Sequence, residues 1–154
     1  MSLQNLHAGL LLVESNRSRG FFAGPRPPAL IDAAEAALGG VFPPSYREFL
    51  KTLGAGNFGS FEFYGLIDDN FEDSEVPNGI WLTLRERVDS TLPSALAVVG
   101  TTGDGAYYCL EMSGGRETPV IVYHPGIPAQ KQTKPEVVAP DFGTFFLQQI
   151  QAQL

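Results

Sequence analysis

LGGVFPPSYREFLKTLGAGNFGSFEFYGL, residues 38–66, decides the fold. Pro43 disfavours the α region at Phe42, so the chain is expected to run extended into the prolines. Pro44 has its φ pre-set and no amide hydrogen to leave unpaired, which suits the start of a helix. Tyr46, Phe49, Leu50 and Leu53 then fall at i, i+3, i+4 and i+7. That spacing puts them on one helical face, with Arg47, Glu48 and Lys51 elsewhere, and predicts that this face is buried against a sheet. Gly54 and Gly56 are expected to stop the helix. Phe61 to Leu66 alternates in part and reads as a strand.

Working outward, Leu3, Leu6, Leu10 and Val13 have helical spacing, which predicts an opening helix over 3–15. Asn16 to Pro28 reads as a connector. A second helix is expected from Ala29 to Leu38, with Leu30, Ala34, Ala37 and Leu38 as its packing face and Gly39-Gly40 as its end. Beyond the aromatic strand, Gly79 to Val88 reads as helix or strand, helix being favoured because Ile80, Leu84, Arg87 and Val88 have helical spacing. Leu96 to Gly100, Ala106 to Met112 and Pro119 to His124 predict a three-strand meander joined by turns at TTGDG and Ser113 to Gly115. An irregular excursion follows from Ile127 to Val138, where Val137-Val138 is expected to add an edge strand. Asp141 is expected to cap a closing helix through Phe142, Phe146 and Ile150. The fold class expected is α+β: one domain over 1–154, with a mainly antiparallel sheet of about five strands flanked by helices.

The ordered set of landmarks resembles the SUKH superfamily. The carriers are Glu35, Leu38 and Gly39, then Pro43 or Pro44, then Tyr46, Phe49 and Leu50, then Gly54, Gly56 and the strand Phe61 to Leu66. Further similarities are Val98-Val99-Gly100 with Gly103-Asp104-Gly105 and YYCLEM, Pro119-Val120 opening a strand, and Phe142, Phe145 and Phe146 in the closing helix. Together they cover roughly residues 28–150. The resemblance implies a non-catalytic α+β protein. Most bacterial members resemble immunity proteins that neutralise polymorphic toxins, many of them nucleases, and a fungal branch acts in regulation of cell-wall assembly.

Bulk properties narrow the function. A chain of 154 residues with 44% hydrophobic content is long enough to bury roughly 70% of its unfolded surface in one core. A net charge of −7 argues against nucleic-acid or anionic-membrane binding, because phosphates reward Lys and Arg. It permits a basic partner. Cys109 is the single cysteine, so no intrachain disulfide forms, which fits a reducing compartment and the expectation of a cytoplasmic protein. No apolar run approaches the ~20 residues of a membrane span, and no Lys or Arg precedes the apolar stretch 9–13, so no secretory signal is expected.

Candidate chemistry is sparse. His7, His124 and Cys109 do not make the ligand set of a zinc site, and no metal or cofactor is expected. Cys109 with His124 on an adjacent strand would be the elements of a cysteine hydrolase, but no oxyanion-hole motif surrounds the cysteine. GTTGDG has no lysine and no following helix, so it reads as a hairpin turn before a phosphate loop. The sharpest feature is DDNFEDSE, where Asp68, Asp69, Glu72, Asp73 and Glu75 put five carboxylates in eight residues. It lacks the spacing of a calcium loop and the two-sided cleft of a glycosidase. Either it is a solvated loop, or it presents negative charge to a basic protein such as a nuclease toxin. The candidate partner-binding set is those five carboxylates with Tyr64 and Phe71. Trp81 is expected to be at least partly buried.

Overall fold

The computed structural model describes residues 1–112, 114–127 and 135–154. Most of the expected excursion over 127–138 lies outside them, as does Ser113 of the expected turn.

Helix α1 (Ser2–Ser15) is followed by a 3-10 turn (Arg17–Arg19) and strand β1 (Gly20–Phe22). Helices α2 (Pro28–Leu38) and α3 (Pro44–Thr52) come next, each with proline in its first turn as the missing amide hydrogen allows. Strands β2 (Gly56–Phe58) and β3 (Phe61–Phe63) precede α4 (Gly79–Asp89). Strands β4 (Leu96–Thr101), β5 (Tyr107–Glu111), β6 (Val120–Tyr123) and β7 (Glu136–Ala139) lead to α5 (Phe142–Ala152), whose first turn is capped by the Asp141 carboxylate. The class is α+β, as expected. The strands are divided between two antiparallel sheets, β1-β2-β3 and β4-β5-β6-β7, rather than forming one sheet of about five. The sheets adjoin where the Tyr64 N–H donates to the Val99 carbonyl at 2.9 Å, beside the bulge between Val98 and Gly100.

The main core is aromatic. Phe49 on α3 stands within 6 Å, centroid to centroid, of Tyr46, Phe63, Phe142 and Phe146. Tyr46, Phe49 and Leu50 are fully buried, as their spacing predicts, and Leu53 is half-buried at the helix end. The Tyr46 hydroxyl donates to the Tyr64 carbonyl at 2.8 Å, so the deepest phenol has its partner. Three helix starts converge above this cluster. The Gly143 N–H points at the hydroxyls of Ser2 (3.2 Å) and Ser45 (3.1 Å). Glu117 completes the knot, accepting from the Ser45 N–H (2.9 Å) and hydroxyl (2.8 Å). A carboxylate there satisfies an amide that Pro43 has no side chain to cap, and meets the positive ends of the helix dipoles. Gly143 is required by this approach, since a Cβ would lie 2.0 Å from the Ser2 carbonyl.

Helical phase differs from expectation in three places. Helix α1 buries Ser2, Leu6, Gly9 and Val13 and leaves Leu3 exposed, because Gly9 lets Phe146 of α5 press against its backbone. On α2, Ile31, Ala34 and Leu38 face the core while Ala37 is exposed. On α4 the buried residues are Gly79, Ile80, Leu82 and Thr83, and Val88 is 80% exposed. Thr83 fixes that phase: its hydroxyl donates to the Gly79 carbonyl (2.6 Å) and accepts from the Val98 N–H (3.0 Å), docking α4 on the bulge of β4.

Candidate functional site

The acidic segment is the crossing from β3 to α4. Its ends meet: the Gly65 N–H donates to the Pro77 carbonyl (2.9 Å) and the Gly79 N–H to the Gly65 carbonyl (2.7 Å). A chain excursion of about a dozen residues with closed ends is an Ω-type loop. Arg26 ties its start, donating to the Ile67 carbonyl at 2.6 Å. Asn70 ties its middle, donating to the Asp73 carbonyl (2.7 Å) and accepting from the Asp73 N–H (3.1 Å). Fully buried Asn78 ties its end. Its side-chain oxygen accepts from the Ile80 and Trp81 amides at 3.1 Å each, capping α4, and its amide nitrogen donates to the Ser74 hydroxyl at 3.3 Å.

This frame leaves the charge outside. Asp68, Asp69, Glu72, Asp73 and Glu75 are all exposed. Among the described residues none of the five makes a salt bridge, although Glu14, Asp32, Glu35, Glu48 and Asp89 do. Beside the loop a shallow groove of about 230 Å³ is lined by Phe71, Glu72, Trp81, Leu84, Arg85 and Val88. Trp81 and Phe71 are half-buried there, and the Arg85 guanidinium lies 5.9 Å from the Trp81 ring. Of the expected partner-binding set, the five carboxylates are exposed on the loop, and Glu72 and Phe71 line the groove together. Tyr64 does not join them. It is 6% exposed and packs with Leu82, Val98 and Cys109 beneath α4, so its ring belongs to the second core. Leu84 and Val88, which share helical spacing with Ile80, line the groove, and the exposed Val88 gives it its apolar lip.

The other candidates have structural explanations. Cys109 is fully buried, and burial, with Glu86 nearby, pushes its thiol far up. It stands opposite Ile121, which puts exposed His124 three residues further along, roughly 10 Å at strand spacing. GTTGDG is a hairpin turn: the Thr102 N–H donates to the Ala106 carbonyl at 3.1 Å, and Gly103 and Gly105 take positive φ. The Thr102 hydroxyl bonds Asp104 and, with the Ala106 backbone, holds that exposed carboxyl below its usual range. Among the described residues no group of three His, Cys, Asp or Glu side chains could hold a metal ion. No helix among them is long and apolar enough to cross a membrane.

No curated protein sequence matches the chain. A family model does: SUKH_6, described as SMI1-KNR4 cell-wall, matches residues 28–146. That span runs from the first residue of α2 into α5 and takes in the aromatic core and the acidic loop. The family is generally non-catalytic and suggests protein–protein interaction. The chain belongs to the SUKH superfamily, in its SMI1-KNR4 family.

Proposed function

We propose that the chain is a non-catalytic protein-binding module that acts as an immunity protein, occupying the basic surface of a cytoplasmic toxin domain. The observation that carries this reading is the acidic loop: five exposed carboxylates without a salt bridge among the described residues, on a loop pinned by Arg26, Asn70 and Asn78. A pinned loop presents its charge with little ordering cost on binding. Carboxylates at this density can take the place of substrate phosphates in the cleft of a nuclease, and complementary charge speeds encounter and fixes register. The groove of Phe71, Trp81 and Val88 beside it offers an apolar seat of the kind that anchors interfaces. The test is co-purification with the product of the adjacent gene, followed by assay of that product's toxicity with and without this chain. Binding that abolishes toxicity supports the reading; an adjacent product that neither binds nor is neutralised overturns it.

The family description supports a second reading, a regulatory module of cell-wall assembly. It too binds protein, but deleting the gene would alter wall composition in cells that carry no toxin.

A further inference from the structure

We infer a second docking site, remote in charge from the acidic loop: the free edge of β1 accepts an extended, acidic-flanked apolar segment of a partner protein as an added strand. Strand β1 ends its sheet, since the order is β1-β2-β3. The Ala23 N–H donates to the Ala55 carbonyl and the Gly59 N–H to the Arg19 carbonyl, both at 2.8 Å. With Phe21 opposite Asn57 and Phe22 opposite Gly56, that pattern makes Phe21 the residue bonded to β2 and turns the Phe22 N–H and C=O away from it. Neither has a partner among the described residues.

A cleft of about 750 Å³ lies along this edge. Its walls are Leu10 and Leu11 of α1, Phe21 and Phe22 of β1, and Leu53 at the end of α3. The cleft takes in Gly20, Phe21 and Phe22 in succession, so it follows the strand, while the Phe22 ring packs toward Phe63. Leu11 and Phe21 are 69% and 75% exposed, an apolar cost that an occupant would remove. The unpaired peptide group of Phe22 selects what that occupant is. An extended backbone supplies a donor and an acceptor at matched spacing, while its alternate side chains enter the apolar walls.

Charge sets the flanks. Arg17 and Arg19 precede β1, and no acidic residue occurs between Ser15 and Ile31; Arg26, after the strand, is engaged by the Ala23, Gly24, Pro25 and Ile67 carbonyls. Glu14 is engaged with Arg17 at 2.8 Å, while among the described residues the Arg19 guanidinium meets the Gln153 carbonyl and no carboxylate. The basic end of an otherwise acidic protein therefore favours a segment with carboxylates beside its apolar residues. A second copy docked edge to edge would set these arginines against their own counterparts, which disfavours self-association.

The test selects a phage-displayed library of short random peptides on the folded chain, then measures the synthesised winners. The expected winners alternate apolar residues and carry Asp or Glu at one end. Leu11→Asp, at an exposed helix position, and Arg19→Glu should each weaken them about tenfold or more, with thermal stability unchanged. Amide hydrogen exchange at Phe22 should slow at least tenfold when they bind. Replacing the five loop carboxylates with amides should leave their binding unchanged, which separates this site from the function proposed above. Failure to select any peptide, winners indifferent to Leu11→Asp, or binding that leaves the Phe22 amide unprotected would each overturn the inference. Phe22 protection that rises with protein concentration alone would assign the edge to a second copy instead.

Discussion

Replacing Asn78 tests how the loop is held. Asn78→Ala removes the cap of α4, which costs about 1 kcal/mol in typical helices. Here the loss is larger, because the side chain is fully buried and the Ile80 amide it serves is buried too. An orphaned buried donor adds about 1–3 kcal/mol. The expected total is about 2–4 kcal/mol, which in a chain of this length lowers Tm by roughly 6–12 °C. Asn78→Asp separates the two jobs of the residue. A carboxylate still accepts from Ile80 and Trp81, and the helix N-terminus favours it. It cannot donate to Ser74 or to the Asn70 carbonyl and carries a charge into a buried site, so it should keep the cap yet still lose stability, and Asn70 to Glu75 should gain amide exchange. Urea unfolding and calorimetry measure the first effect and hydrogen exchange the second. If Asn78→Ala shifts Tm by less than about 2 °C, the cap does not hold the site, and the argument for a pre-ordered acidic surface fails.

Other expectations follow from the core and its polar knot. Phe49→Ala should cost about 3–5 kcal/mol, read as a fall in urea midpoint, since its ring touches four others. Glu117→Ala should cost about 1.5–3 kcal/mol, because it strips both acceptors from Ser45, while Glu117→Gln should recover part of that. Cys109 should resist thiol reagents in the folded protein and react only on unfolding. Its folded thiol is pushed above the unfolded value of about 8.5, so the folded state holds a proton the unfolded state gives up. Stability should therefore fall as pH rises above about 8.5, by up to ~1.4 kcal/mol per pH unit, and Cys109→Ala should remove the part of that slope below the tyrosine range.

Local periodicity made α3 legible: four apolar residues at helical spacing between a proline start and a glycine stop. The closing strands were legible for the same reason, alternation bounded by Gly turns. Strands β1 and β2 were not. Each has three residues, too few to show alternation, and each contains a glycine that reads as a break. Gly56 shows why. Its φ is 152°, and a Cβ would lie 2.2 Å from the Phe21 carbonyl, so this pairing needs the glycine that makes the strand look like a helix stop. The acidic run was visible as a run, but its frame was not. Asn78 before Gly-Ile-Trp is the N-cap signal that would have located the start of α4. The groove beside it depends on the phase that Thr83 sets by bonding a bulge on β4, a tertiary contact with no local trace. Tyr64 looked like a loop-edge aromatic for the same reason: only the docking of α4 reveals that it is covered.

The central claim is that the acidic loop steers a basic partner, and association rate against ionic strength tests it directly. A partner cation about 10 Å from five carboxylates feels about 2 kcal/mol of attraction in unscreened water. Screening leaves about 1.5 kcal/mol of this at 0.01 M salt and about 0.6 kcal/mol at 0.15 M. Wild type should therefore associate about tenfold faster than the variant with all five carboxylates amidated at the lower salt, and about threefold faster at the higher, with dissociation changing less. Superimposable curves for the two proteins would show that the loop is a solvated turn and that the partner is met elsewhere.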